Sequence, residues 1–129
     1  MANQQMYAIA NCTGSDANLT STVSSSDNCS IPAGVITHTG GSDGDYIRVP
    51  DCSGSEWYPE QHILVQAADG SWTVSFWSND QRDGLLYWSP SDNYYEGNPL
   101  PGSNGSSNWY STLLISNCNG SLQVGWARF

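Results

Sequence analysis

The chain has 129 residues and a formal net charge of −9, from twelve acidic residues against three Arg and no Lys. That length makes one domain, with no room for two cores. Arg48, Arg82 and Arg128 cannot build the basic face that a phosphate backbone needs, which excludes duplex nucleic acid as a partner and excludes adhesion to anionic membranes by basic residues. No apolar run approaches the roughly 18 residues of a spanning helix, so no membrane insertion is expected.

Taken in chain order, Met6–Asn11 reads as a strand. Ser15-Asp16 can cap a short helix through Leu19 and Val23, although Ser and Thr are unfavourable inside it. Strands follow at Val35–Thr39 and Tyr46–Val49, separated by a loop at Gly40–Gly44. Ser55-Glu56 starts a single turn that Pro59 limits. His62–Trp77 is a hairpin on an Asp69-Gly70 type I′ turn, which sets Ala67 against Trp72, Val65 against Val74 and Ile63 against Phe76. Those six residues make one apolar face. The other face carries the pairs Gln66/Thr73, Leu64/Ser75 and His62/Trp77.

Leu85–Trp88 is a further strand, Ser91-Asp92 a second single-turn start, and Asn98–Ser107 a loop. Tyr110–Phe129 is a second hairpin, turning on Asn119-Gly120. It places Ile115 against Val124 and Leu113 against Trp126, with Leu122 on the same core face. Gly125 falls opposite Leu114, where a missing side chain leaves room for a neighbour. The expected fold class is α+β and β-rich: a single antiparallel sheet built from hairpins, with short helices or loops on one face, an αβ sandwich. The strand Tyr110–Cys118 carries neither charge nor Pro. As an edge it would be open to pairing, so a homodimer by sheet continuation or by apolar faces is expected.

Uncharged polarity beside large rings dominates the composition, with 20 Ser, 11 Asn, six Trp and seven Tyr against two Phe. Trp and Tyr supply flat amphipathic area, and Asn, Asp and Ser supply hydrogen-bond partners for hydroxyl groups. A sugar-binding surface needs that combination, and so does a small ring-rich core. Cys12, Cys29, Cys52 and Cys118 show no metal-ligand spacing, so two disulfides are expected, in a secreted chain or another oxidising compartment. Pairing Cys12 with Cys29 and Cys52 with Cys118 is weakly preferred among three connectivities. The first residues carry no basic and no apolar region of a signal peptide. Asn11, Asn18, Asn28, Asn104 and Asn119 stand in Asn-X-Ser/Thr sequons, glycan acceptors if a eukaryote secretes the chain. No cofactor motif occurs. The acidic run Asp43, Asp45 and Asp51 lacks calcium-loop spacing, so no metal is expected.

The string from Ala33 to Gly40, with Gly41–Asp45 and Tyr46 after it, resembles the catalytic-His strand of the guanyl-specific fungal ribonucleases. That resemblance implies His38 as an acid toward a leaving 5′-oxygen, with Glu96 and Arg128 as candidates for the base and the phosphate-stabilising group. Over its whole length, on size, cysteine count, acidity and Trp/Tyr/Asn richness, the chain resembles the small dimeric fruiting-body lectins of ink-cap mushrooms. This second resemblance assigns no site residue. It implies binding of glycans on glycoproteins, with N-acetylated galactose-type epitopes a candidate, and no catalysis. Binding is favoured over enzymatic activity. The expected glycan site is one groove holding His38, Asp43, Asp45, Tyr46, Arg48, His62 and Trp77, with Trp77 as the stacking platform. It needs the His38 strand to lie beside the first hairpin; the alternative is that Trp77 packs beneath a covering segment.

Overall fold

Period-two alternation of apolar and polar residues builds the molecule. The computed structural model describes residues 5–21, 28–38, 47–49, 63–78, 85–90, 97–103, 111–118 and 120–128. Among these there is no helix, and the strands are β1 (Gln5–Met6), β2 (Ala8–Cys12), β3 (Ala17–Ser21), β4 (Cys29–Ile31), β5 (Ile36–His38), β6 (Ile47–Arg48), β7 (Ile63–Ala67), β8 (Thr73–Ser78), β9 (Leu86–Ser89), β10 (Asn98–Pro99), β11 (Ser111–Cys118) and β12 (Ser121–Arg128). They form a six-stranded sheet in the order β10-β9-β8-β7-β3-β4, a four-stranded sheet in the order β12-β11-β2-β5, and a ribbon of β1 with β6.

Both hairpins have the register that their apolar stripes dictate. In the first, Ile63 lies opposite Phe76 and Val65 opposite Val74. Its turn closes earlier than an Asp69-Gly70 type I′ turn would. Gly70 N–H donates to the carbonyl of Ala67, Ala67 N–H donates to that of Trp72, and Gly70 has φ +76°. In the second hairpin, Leu113 lies opposite Trp126, Ile115 opposite Val124 and Leu114 opposite Gly125. Gly120 takes φ +80°, which a side chain would strain.

Each hairpin has one apolar face, and the two sheets close these faces on each other. Val65, Val74, Phe76, Leu86, Leu113 and Ile115 are fully buried, with Leu122, Val124 and Trp126 half-buried against them. Each such side chain contributes about 1.5–3 kcal/mol over leaving it in water. Among the described residues one buried polar atom stands unmatched: the Trp72 indole N–H has no hydrogen-bond partner.

Several expectations are corrected. There are two main sheets rather than one, because each sheet supplies the cover that the other needs. The helix expected from Ser15 is strand β3. Its residues alternate, with Ala17, Leu19 and Ser21 buried and Asn18 and Thr20 exposed, a period-two stripe that outweighs the capping signal. The sheets are not wholly antiparallel, since β11 runs parallel to β2. Strand β11 is therefore interior, flanked by β2 and β12, so it cannot be the open edge on which the dimer expectation rested. Cys12 keeps a free, exposed thiol. A Cys12–Cys29 bridge is absent: Cys12 is exposed, whereas Cys29 is half-buried against the core. Cys29 lies opposite Leu19, only the backbone of Cys118 is described, and Cys52 lies outside the described residues, as do the turns expected at Ser55-Glu56 and Ser91-Asp92. Among the described residues no helix is long and apolar enough to cross a membrane.

Candidate functional site

The outer face of the six-stranded sheet, turned away from the core, collects neutral hydrogen-bonding side chains. Asn18 lies opposite Ser30 on one side and Gln66 on the other, and Gln66 lies opposite Thr73. Ser30, Asn18, Gln66 and Thr73 thus form one cross-strand row over β4, β3, β7 and β8. At about 4.8 Å between strands the row spans roughly 14 Å. Ser30, Asn18 and Gln66 are exposed and Thr73 is half-buried. The next row runs Thr20, Leu64, Ser75 and Ser89. Thr20 is exposed and Leu64 half-buried, whereas Ser75 and Ser89 are buried. The face is open over β4, β3 and β7 and closes over β8 and β9.

Trp77 sits in the closed half. It lies opposite Tyr87 and stacks on it, with ring centroids 6.1 Å apart and planes at 15°. Only 2% of Trp77 is exposed, and Gly97 lies against its six-membered ring. The expected stacking platform is therefore corrected: Trp77 packs beneath a covering segment, and its buried face cannot meet a sugar ring. This ring pair closes one end of the ledge.

At the hairpin tip, beyond the first row, two carboxylates bond to backbone. Asp16 Oδ1 accepts from Ala33 N–H at 2.9 Å, and Asp69 Oδ1 accepts from Ser71 N–H at 2.9 Å. The Asp69 carboxyl is held below its ordinary value of 3.8, first by the Ser71 side chain and then by the Ser71 N–H. Asp69 is thus ionised at neutral pH, and the ledge itself carries no charge in either row.

The three described members of the expected groove, His38, Arg48 and Trp77, are not on neighbouring strands. Strand β5, which carries His38, pairs with β2 in the four-stranded sheet, whereas Trp77 belongs to the six-stranded one. Arg48 is in β6, paired with Gln5 of β1. Asp43, Asp45, Tyr46 and His62 lie outside the described residues. The two described members of the ribonuclease set do not gather either. His38 is opposite Ala8 on one edge strand and Arg128 is opposite Ser111 at the other edge, with β2 and β11 between. That separation is about 14 Å by strand spacing. Glu96 lies outside the described residues.

Sequence reasoning placed Gln66, Thr73, Leu64 and Ser75 on one polar face and missed Asn18, Thr20 and Ser30, which complete it. The available signal was the alternation across Ala17–Ser21, overridden by reading Ser15-Asp16 as a helix cap. Protein-family profiles, characterised proteins and solved structures were all compared with this chain and none matches, so the reading of the site rests on its geometry and chemistry.

Proposed function

We propose that this chain is a glycan-binding protein whose ligand lies on the open part of the outer face of the six-stranded sheet. The observation that carries the reading is the uncharged row Ser30–Asn18–Gln66–Thr73. A saccharide presents hydroxyl groups that donate and accept. Amides offer both functions in fixed geometry, and hydroxyls rotate to suit either. A neutral ledge on a chain of net charge −9 suits a neutral ligand and repels a polyphosphate. The composition-level resemblance to the fruiting-body lectins supports the same class, with N-acetylated galactose-type epitopes as the first to try. No observation favours the ribonuclease reading, because His38 and Arg128 stand on opposite edge strands.

The test is a glycan-array screen followed by titration of the best hit against wild type, Gln66→Ala and Asn18→Ala. Each variant removes one exposed hydrogen bond of about 0.5–1.5 kcal/mol, so affinity should fall roughly two- to twelvefold with an unchanged melting temperature. A silent array, or variants that bind like wild type, overturns the reading. Turnover of a guanosine-containing dinucleotide would replace it with the ribonuclease one.

A further inference from the structure

The structure separates two sequons that are equivalent as sequence. In Asn11-Cys12-Thr13, the acceptor amide is consumed by the fold. Asn11 is 1% exposed, and its Nδ2 donates to the carbonyls of Ser15 and Ile31, both at 2.9 Å. Its Oδ1 accepts from Thr13 N–H at 3.0 Å and from the Thr13 hydroxyl at 2.6 Å. Both amide hydrogens are spent, and the Ile31 bond ties β2 of one sheet to β4 of the other. A sugar on Nδ2 would remove one of these bonds and would need space that the closed sandwich does not have. In Asn18-Leu19-Thr20, the Asn and Thr are exposed on the outer face and only Leu19 enters the core.

We infer that Asn18 is an N-glycan acceptor of this chain and that Asn11 must stay unmodified for it to fold. The step joins C1 of a lipid-pyrophosphate-linked oligosaccharide to Asn18 Nδ2. The C1–O bond to the pyrophosphate breaks, the lipid pyrophosphate leaves with the electron pair, and the amide gives up one proton. The attached oligosaccharide would then stand in the middle of the Ser30–Asn18–Gln66–Thr73 row. It would cover the ledge, a consequence that rests on the glycan-binding reading above, whereas the acceptor assignment does not.

The test is to make the full chain in a eukaryotic secretory host and in bacteria, then map the occupied Asn residues of the folded, secreted fraction by peptide mass spectrometry. Asn18 should be occupied and Asn11 bare, and Asn18→Gln should lose that glycan. A folded fraction with glycan on Asn11, or with Asn18 bare, overturns the assignment. Titration with the best array ligand is the second readout. The glycosylated wild type should bind at least tenfold more weakly than the bacterial protein. Occupied Asn18 with unaltered affinity overturns the covering of the ledge and the ligand's place on it, while the acceptor assignment stands.

Discussion

Gly97 is pressed against the indole of Trp77: a Cβ at position 97 would lie 2.7 Å from Cη2 and nearer still to Cζ2. Trp77 is thereby closed over by Gly97, directly before β10, and Tyr87 stacks beside it. Gly97→Ala should destabilise by about 1–3 kcal/mol through overpacking. Trp77→Ala, which empties a buried ring site, should cost about 3–5 kcal/mol. The double variant should cost clearly less than the sum, because removing the ring relieves the clash. Thermal or urea melts of the three variants check this; additive costs would mean that the two positions are not in contact.

Asn11 joins the two sheets through its side chain, and its loss leaves the Ile31 carbonyl and the Thr13 N–H without this partner. Asn11→Ala should cost about 2–4 kcal/mol, since each buried polar group left unmatched costs about 1–3. Asn11→Asp should be worse at pH 7 than near pH 4. Its carboxylate would face the carbonyl oxygens of Ser15 and Ile31, and protonation returns one donor. Melts of the aspartate variant that show no gain on acidification would contradict the latch.

The unmatched Trp72 N–H makes an opposite forecast. Burying that donor without a partner costs about 1–3 kcal/mol, and Trp72→Phe removes the cost along with part of the ring packing. The two effects oppose, so Trp72→Phe should lie within about 1 kcal/mol of wild type. Trp72→Ala should lose about 3–5 kcal/mol. A Phe variant as damaged as the Ala variant would show that the N–H is satisfied in solution.

The Asp69 carboxyl reports on the hairpin tip. Its folded-state pKa is depressed below 3.8, so its contribution to stability is complete above the unfolded value and is lost as pH falls through the lower folded one. A carboxyl-carbon NMR titration should place its midpoint below 3.8. Ser71→Ala deletes the first of the causes and keeps the backbone N–H, so the midpoint should move upward toward 3.8. A midpoint at or above 3.8 in the wild type would remove the Ser71 bonds from the solution structure.

Local patterning determined the two hairpins, their registers and their core stripes, because each is written within about twenty consecutive residues by alternation and a turn glycine. The same alternation put Gln66 and Thr73 on the solvent side. Tertiary structure alone decided what lies on either side of those hairpins. The pairing of β2 with β11 joins residues about a hundred positions apart, and no local signal marks such a partner. That pairing took the supposed edge strand into the interior, and the equally unmarked pairing of β5 with β2 put His38 into a sheet different from that of Trp77. Burial of Trp77 likewise depended on Gly97, twenty positions away. A ring on the solvent side of a strand reads as exposed until a distant segment covers it. Asn11 and Asn18 share one sequon pattern, and only the packing of two sheets made one a buried latch and left the other open to solvent.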